Sequence, residues 1–305
     1  MKRVIWGLQA AGILAVSFPL SLLPAGFGEV LGGLLYRIWK SRRLIAIDNL
    51  TKSSAFLGLS ADSPPEKIIE ESFRNLGRFF MEVVKIYYGR GSRIVGETAV
   101  NGIDNFEKAK AKGKGVIFIT GHCGNWELLA ITWSSKGVPF SVVARPLNNP
   151  YLNGVLERAR ARFGNAVIYK RGALRQVLST LKGGGCVGIL MDQSVLPEEG
   201  YVISFLGRGA WTTKAPALIA RKTGAPVLPA FIRRTGNGNE ITIYPEVELS
   251  ANDDREDALK DDTQRLSSFI EDYIRENPSQ WLWLHRRWKR VPQGATGLPD
   301  TAIKG

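Results

Sequence analysis

Along most of the chain, two kinds of segment alternate, and they differ in the spacing of their apolar residues. Beyond about residue 110, short apolar runs are separated by longer segments in which apolar positions recur every three or four residues. Strand-then-helix alternation of this kind predicts an α/β fold with a mostly parallel central sheet flanked by helices. The expected strands are 116–120, 140–144, 166–169, 187–191, 227–232 and an edge strand 240–244. The expected helices are 126–133, 152–163, 174–181, 215–222 and 257–277, preceded by an amphipathic helix that ends near Tyr88.

The amino terminus has a different pattern. Residues 4–23 carry no formal charge and are mostly apolar, which is about the length that crosses a hydrocarbon core. Apolar character resumes after Pro24 and is followed by Lys40, Arg42 and Arg43, as in an interfacial helix with a cationic edge. We predict an N-terminal hydrophobic membrane-anchoring helix, with residues 1–45 as anchor and interfacial helix and 46–305 as one α/β domain. A cleaved signal peptide and a core helix are the alternatives.

Charge and cysteine content narrow the possible partners. The formal net charge of +13 favours a polyanionic partner, which could be nucleic acid, an anionic membrane or a phosphorylated substrate. The two cysteines form no CxxC pair, so neither a disulfide framework nor a zinc site is indicated. Cys123 lies beside a histidine and could serve as a nucleophile, although a buried structural thiol is the commoner case.

Polar residues follow every predicted strand of the parallel sheet. Ligands of open α/β sheets bind beyond the carboxyl ends of the strands, so these residues are expected to converge on one rim. A histidine, a carboxylate and several cations there would suit base catalysis on an anionic substrate. In chain order they are His122, Arg145, Lys170, Arg171, Asp192, Gln193, Arg233 and Arg234.

The segment Gly-His-Cys-Gly-Asn-Trp-Glu, residues 121–127, leaves the first of these strands and opens a helix. Glu127 would lie in the first helical turn, from which its carboxylate could turn back to the His122 imidazole and fix its tautomer. That contact would make His122 a competent general base. Backbone amides near Gly124 and Asn125 are candidate donors to an oxyanion.

Residues 121–127 resemble the His-x4-Asp/Glu motif of the glycerolipid acyltransferases, and in this form the lipid A biosynthesis lauroyl and myristoyl acyltransferase family. The segments 145–146, 188–193, 205–208, 213–229 and 281–288 are similar to further blocks of that family, in its order. Met191 and Leu206 depart from its commonest residues.

The resemblance implies transfer of an acyl group from an acyl carrier protein thioester to a hydroxyl of a lipid A precursor, in late lipopolysaccharide biosynthesis. No metal or other cofactor is implied. The enzyme would act on the cytoplasmic face of the bacterial inner membrane, in contact with its phospholipids. The implied catalytic dyad is His122 and Glu127. The implied substrate-binding residues are Arg145, Asp192, Gln193 and Arg208, which fall in the family's blocks. Lys170 and Arg171, by their position at a strand end, and Asn125, by its position in the turn, are further predicted substrate-binding residues.

Other functions remain open from the residues alone. The enzyme could acylate another glycolipid or phospholipid from an acyl-CoA donor, or could hydrolyse lipids with water as acceptor. A serine hydrolase is disfavoured because the chain has no Gly-x-Ser-x-Gly segment. A catalytically silent lipid-binding or nucleic-acid-binding protein could use the tryptophans and arginines of residues 281–288. The apolar amino terminus favours a membrane interface over nucleic acid as their partner.

Overall fold

The computed structural model describes residues 2–60, 64–169, 172–236 and 238–291. Within them, a seven-stranded sheet has the order β1-β9-β8-β2-β5-β3-β4, and β6 and β7 form a separate hairpin. The strands are β1 (Ala99–Asn101), β2 (Val116–Thr120), β3 (Phe140–Ala144), β4 (Ala166–Tyr169), β5 (Cys186–Leu190), β6 (Gly200–Phe205), β7 (Arg208–Thr213), β8 (Val227–Thr235) and β9 (Gly238–Ile243).

Helices cover both faces of this sheet and precede it in the chain. They are α1 (Lys2–Leu20), α2 (Phe27–Ile38), α3 (Lys40–Thr51), α4 (Ser54–Leu57), α5 (Pro65–Tyr87), α6 (Ser92–Gly96), α7 (Ile103–Lys110), α8 (Trp126–Ser135), α9 (Pro150–Ala161), α10 (Ala173–Lys182), α11 (Ala215–Thr223) and α12 (Arg255–Glu276). Short 3-10 helices occupy Pro197–Glu199 and Pro278–Gln280.

Five neighbouring strands of the sheet run parallel, as the strand-helix alternation predicts. β2 pairs in parallel with β5 and β8, and β3 pairs in parallel with β5 and β4. Among the described strands of this seven-stranded sheet, only β8 and β9 pair in antiparallel fashion, and β1 is added in parallel beyond β9. The predicted fold class is therefore confirmed, and the observed bounds of β2, β3 and β4 equal the predicted ones.

The β6–β7 hairpin and β1 were not predicted from the apolar pattern. Residues 200–213 mix glycine, polar and aromatic residues, and the hairpin is only half-buried. Its turn is made by Leu206 and Gly207, both with positive φ, of 50° and 75°. Two-residue hairpin turns of this kind usually carry Asn or Gly at the first position, so a leucine there conceals the turn signal.

Two apolar cores lie on opposite faces of the sheet, because side chains of a strand alternate between its faces. In β2, Ile117 and Ile119 pack with α3, α5, α11 and α12, whereas Val116 and Phe118 pack with α7 and α8. All five residues of β2 are buried. A continuous apolar run is the signature of a central parallel strand covered on both sides.

The first two helices relate differently to this body. Helix α2 lies backbone to backbone on α5, since a Cβ on Gly32 would lie 2.1 Å from the Phe73 carbonyl oxygen and one on Gly77 would lie 2.1 Å from that of Gly28. Helix α1 is long and apolar enough to cross a membrane by length and composition, and Ala10 is its one buried residue. Its remaining residues are exposed or half-buried.

Candidate active site

His122 lies on the turn between β2 and α8, which backbone contacts hold from two sides. Gly124 has φ +52°, and a Cβ there would lie 2.2 Å from the Ile232 carbonyl oxygen, so only glycine fits. The Asn125 side chain accepts from Leu128 N at 3.0 Å and caps α8. Leu282 N donates to His122 O at 3.1 Å, which ties the turn to the carboxyl-terminal segment.

The His122 imidazole is held by a carboxylate from the neighbouring strand. Asp192 follows β5, which pairs with β2, and its Oδ1 lies 2.8 Å from His122 Nδ1. Its Oδ2 accepts from His122 N and from Trp281 Nε1, each at 2.8 Å. Asp192 is 2% exposed, so both its oxygens are used by the protein itself.

The ionisation of Asp192 follows from these donors. Burial alone would raise its pKa, but the neighbouring His122 charge and the hydrogen bonds from His122 and Trp281 lower the pKa well below its ordinary range. When the ring is neutral, an ionised Asp192 accepts from Nδ1–H, which places the lone pair on Nε2. Nε2 lies 3.0 Å from Gln193 Nε2, whose amide N–H can donate to that lone pair. The imidazole thus has the tautomer that a general base requires.

Glu127 does not contact His122, contrary to the expected dyad geometry. Its carboxylate forms a two-pronged ion pair with Arg160 of α9, with Arg160 Nε donating to Oε2 at 2.9 Å. Both side chains are 12% exposed. Although burial alone would lower it, pairing with Glu127 raises the pKa of Arg160. The first turn of α8 faces α9, so Glu127 fastens the two helices while Asp192 takes the place expected for it.

Asn125, which was expected to contact substrate, is buried within the turn. It is 1% exposed, and its amide donates to Glu82 Oε2 at 2.8 Å. Glu82 is itself buried and accepts from Arg234 Nη1 and Nη2 at 2.5 and 3.1 Å. The backbone amide of Gly124 was expected to donate to an oxyanion. It instead donates to Gln280 O at 2.7 Å and is not available for that role.

The tryptophan-rich carboxyl-terminal segment packs inside the protein. Trp281 and Trp283 are 2% and 0% exposed, so neither can stack on bases or lie in a membrane interface. Asn49 of α3 donates to the Trp283 and His285 carbonyl oxygens at 2.8 and 2.9 Å, which holds this segment of successive turns in place. Trp281 in turn donates to Asp192. The segment therefore forms the buried side of the candidate site.

Four cations lie on the rim near this segment. Arg145, which follows β3 as predicted, is exposed. Burial, and then the nearby charges of Arg290, Arg145 and Arg286, lower the pKa of Lys289. Ser194 Oγ donates to Lys289 O at 3.3 Å, so the cations adjoin the loop that carries Asp192 and Gln193. We call Arg145, Arg286, Lys289 and Arg290 the cationic rim.

The remaining predicted site residues fall in three places. Arg208 is the first residue of β7, and its guanidinium stacks 3.4 Å over the Trp288 ring. Burial lowers the pKa of Arg208 to about 10, and its Nε and Nη2 have no hydrogen-bond partner among the described residues. Gln193 contacts the imidazole directly. Lys170 and Arg171 lie outside the described residues.

Two other groups near the site are inert by their environment. Cys123 is 1% exposed, and burial raises the pKa of its thiol well above the ordinary value, which argues against a nucleophilic thiolate. Burial lowers the pKa of His285 to about 4, so this ring is neutral near pH 7 and accepts from Ser194 N at 3.3 Å. Within residues 2–60, 64–169, 172–236 and 238–291, no group of three or more His, Cys, Asp or Glu side chains could hold a metal ion.

Sequence reasoning missed Arg160, Glu82 and Trp281 as parts of the site. Glu82 left a signal, because it interrupts the apolar face of α5 between Phe79 and Ile86, and a carboxylate on such a face requires a partner. Arg160 left none, since an arginine near the end of a helix is ordinarily solvated.

Comparison with known proteins points to one family. A family model described as bacterial lipid A biosynthesis acyltransferase matches residues 2–290. The lipid A biosynthesis palmitoleoyltransferase of Escherichia coli (strain K12) is 30% identical over 274 residues, covering 89% of this chain and 86% of that protein. The lipid A biosynthesis lauroyltransferase of the same strain is 28% identical, covering 87% and 84%. The phosphatidylinositol mannoside acyltransferase of Mycobacterium tuberculosis (strain ATCC 25618 / H37Rv) is 25% identical, covering 76% and 73%.

Proposed function

Because the chain belongs to the bacterial lipid A biosynthesis acyltransferase family and is an O-acyltransferase, we propose that it transfers a fatty acyl group from an acyl carrier protein thioester to a hydroxyl of a lipid A precursor. The transfer would be one of the late acylations of lipopolysaccharide biosynthesis. The observation that carries this proposal is the hydrogen-bonded series of Asp192, His122 and Gln193. It directs the Nε2 lone pair of His122 toward the open side of the site.

This hydrogen-bonded series supports direct transfer without a covalent enzyme intermediate. Nε2 takes the proton of the acceptor hydroxyl while its oxygen attacks the thioester carbonyl carbon. The tetrahedral oxyanion then collapses, the C–S bond breaks, and the imidazolium returns the proton to the leaving thiolate. Asp192 holds the ring and offsets its charge throughout, as the buried acid of a catalytic triad does. Glu127 and Arg160 act as positioning residues, since they fix α8 behind the turn that carries His122.

Gln193 has a second role in this mechanism. Its amide occupies the position beside Nε2 that the acceptor hydroxyl must take, so it has to move aside when acceptor binds. The displaced N–H remains next to the reacting carbonyl and is our candidate oxyanion donor, in place of the Gly124 amide.

The cationic rim supports an anionic acceptor. Arg145 and its neighbours adjoin the 192–194 loop, and arginine binds phosphate with two parallel hydrogen bonds. We assign acceptor phosphate or carboxylate groups to this rim, with Lys170 and Arg171 as further contacts after β4. The buried, unpartnered nitrogens of Arg208 make it an additional candidate contact for an anionic group. The net charge of +13 would also attract an acidic donor, which both an acyl carrier protein and acyl-CoA are.

The amino-terminal helices support action at a membrane, which we assign to the cytoplasmic face of the inner membrane. Helix α1 lies along the catalytic body, because Asn149 Nδ2 donates to Trp6 O at 3.0 Å and Tyr88 Oη donates to Leu14 O at 3.0 Å. Helix α2 turns Phe27, Val30, Leu34 and Ile38 outward along one face. Because these contacts at Trp6 and Leu14 hold α1 against the catalytic body, we propose that α1 and α2 lie in the interface of one leaflet instead of crossing the bilayer.

Purified enzyme provides the test. The wild type, supplied with acyl carrier protein loaded with a fatty acid and a lipid A precursor lacking secondary chains, should yield a product heavier by one acyl group in mass spectrometry. His122→Ala should fold normally, as judged by thermal unfolding, and give on the order of a hundredfold less product or lower still. Product formed equally well by His122→Ala would remove the basis of the mechanism, and product formed only from acyl-CoA would reassign the donor.

A second acceptor class has its own support. The mycobacterial relative is named for phosphatidylinositol mannoside, which is a phosphorylated glycolipid without the lipid A backbone. A parallel reaction with that acceptor therefore separates the two classes by the mass of the product. Release of free fatty acid without any acylated lipid would instead favour hydrolysis.

A further inference from the structure

A polar cavity of about 360 Å³ lies under the turn between α1 and α2, outside the catalytic site. Its walls come from this turn, from α5 and α6 and from the start of β9. The lining residues used here are Arg78, Glu82, Lys85, Arg90, Arg93 and Glu97. The volume is within the range of roughly 300–1,000 Å³ typical of small-molecule sites.

The charges on these walls do not balance. Four cations face two carboxylates, and each carboxylate already has a partner. Glu82 is neutralised by Arg234, which is not part of the wall, and Glu97 pairs with Arg93 at 2.7 Å. Arg78 pairs with Glu29, also outside the wall, at 2.9 Å. Lys85 and Arg90 have no carboxylate partner among the described residues. The cavity therefore attracts an anion.

Lys85 and Arg90 are fixed in place by α1. Lys85 Nζ donates to the Ser21 carbonyl oxygen at 2.9 Å, just beyond the end of this helix. Arg90 Nη1 donates to Ser21 Oγ at 3.4 Å and its guanidinium lies over the Phe18 ring. Each cation keeps further N–H donors after these bonds, since an ammonium has three and a guanidinium five. The two groups are preorganised to share an anionic ligand.

The surroundings of the cavity are apolar, which identifies the ligand further. Ala25 forms part of its wall, and the residues on either side of it in the chain, Leu22, Leu23 and Phe27, are 58%, 36% and 39% exposed. Exposed leucine and phenylalanine beside a cationic cavity suit a ligand that combines an anionic head with hydrocarbon chains. A free anion would make no use of the apolar rim.

We propose that this cavity binds the phosphate headgroup of an anionic bilayer phospholipid and thereby fixes the enzyme on the membrane through a site separate from the catalytic one. The phosphate oxygens accept from Lys85 and Arg90, with Arg93 at the entrance. The acyl chains of the lipid lie against the exposed side chains that flank Ala25. Binding to vesicles does not require turnover, so its outcome is independent of the acyl-transfer reaction.

The test compares two exposed ion pairs of the same kind. Arg93 and Glu97 are four residues apart and 85% and 58% exposed, and only this pair lines the cavity. Lys108 and Asp104 on α7 have the same spacing and similar exposure, 77% and 69%, but lie outside it. Arg93→Gln and Lys108→Gln each remove one positive charge and leave one carboxylate unpaired.

Full-length protein is sedimented with phosphatidylcholine vesicles that contain or lack phosphatidylglycerol. We expect Arg93→Gln and Arg90→Gln each to lower the partition coefficient for the anionic vesicles about five-fold or more, the effect of one cation near a charged surface. Lys108→Gln should leave it within twofold of wild type. Equal losses in Arg93→Gln and Lys108→Gln would show general surface attraction and overturn the proposal.

A second measurement separates lipid from free phosphate. Short-chain phosphatidylglycerol, added below its micellar concentration, should raise the thermal unfolding midpoint of wild type but not of Arg90→Gln. Inorganic phosphate should have little effect at the same concentration, because it leaves the apolar rim unused. Stabilisation by inorganic phosphate equal to that by the lipid would overturn the lipid assignment.

Discussion

Asp192, beside His122, and Glu271, beneath the β6–β7 hairpin, are buried to the same degree and ionise in opposite ways. They are 2% and 4% exposed. The neighbouring charge and the hydrogen bonds around Asp192 overcome the effect of burial and hold its pKa well below the ordinary range. Burial raises the pKa of Glu271 to about 7. Depth alone therefore does not determine whether an acid in this protein carries charge.

The number and kind of donors explains the difference. Asp192 accepts from three N–H groups, and one of them belongs to a ring that can become cationic. Glu271 accepts from the Leu206 backbone amide at 2.6 Å, which supports the hairpin turn, and the more distant charge of Arg287 contributes little. The first environment stabilises a carboxylate for chemistry, and the second tolerates a neutral acid in a structural role.

Asp192→Asn should have the largest effect on activity. An amide of the same shape cannot accept from all three donors, so the ring loses its fixed tautomer. We expect kcat to fall by on the order of 10³–10⁴-fold with little change in KM, as for the buried acid of a triad. Steady-state kinetics measures this, and combining it with His122→Ala should add almost nothing. A loss below tenfold would mean that Asp192 is dispensable and that another carboxylate assists His122.

Glu127→Gln should have an intermediate effect with a different signature. Breaking the nearly buried pair leaves Arg160 unpartnered, so we expect a loss of about 3 kcal/mol in the free energy of unfolding. Displacement of α8 should lower kcat by on the order of a hundredfold. Arg160→Gln should behave alike, and the double variant should cost less than the sum of the two.

A result in which Glu127→Gln abolished activity while Arg160→Gln left it unchanged would contradict the positioning role. Glu127 would then act on the reacting groups directly. Urea unfolding and steady-state kinetics on the same samples separate the two possibilities.

Trp281→Phe removes one of the three hydrogen bonds that Asp192 accepts. The indole N–H to Oδ2 is lost, while the aromatic contacts with Phe205 and Trp283 are largely kept. A hydrogen bond to a charged group contributes roughly 1.5–3 kcal/mol, so we expect kcat to fall roughly tenfold or somewhat more. Trp281→Leu is the control for lost packing, because it also lacks the indole N–H. If the two variants unfold at the same urea concentration but differ in kcat, the loss cannot come from the missing donor, and the donor role would be contradicted.

The rim of the site could be predicted from sequence, but the pairing within it could not. Parallel strands end at one edge, so the positions after β2 and β5 had to lie close together, and His122, Asp192 and Gln193 do. The choice between Glu127 and Asp192 depended on side-chain direction. Glu127 is near His122 in the chain, yet the helix that begins at Trp126 turns it toward α9. Chain distance favoured Glu127, whereas the carboxylate that contacts the His122 imidazole is that of Asp192.

The carboxyl-terminal segment shows a second limit. Tryptophans interleaved with arginines are typical of interfaces with membranes or nucleic acid. Here the same pattern belongs to a segment that packs inside the protein. Arg287 is 0% exposed and donates to the Trp211 carbonyl oxygen at 2.5 Å, a partner 76 residues away. Such a role depends on long-range contacts that no local spacing records.

Glu271→Gln should have the smallest effect on activity and a distinct effect on stability. Glutamine has the same shape and can still accept the Leu206 N–H, so kcat should stay within twofold of wild type. In the unfolded chain Glu271 ionises near its ordinary pKa of 4.5, but in the folded protein near a pKa of about 7. The folded state therefore holds a proton that the unfolded state has lost, and Glu271's contribution to stability falls as pH rises from 4.5 through about 7.

The variant removes that slope, so relative to wild type it should gain up to about 3 kcal/mol in the free energy of unfolding between pH 5 and pH 8. Urea unfolding of both proteins across that range measures the gain. His285 has an opposite slope, since its pKa lies at about 4 when folded and at 6.5 ordinarily, and its contribution is lost as pH falls. This slope is common to both proteins and cancels in their difference. Parallel stability curves would show that Glu271 is ionised in the folded protein at neutral pH, and that one backbone donor suffices to keep a buried carboxylate charged.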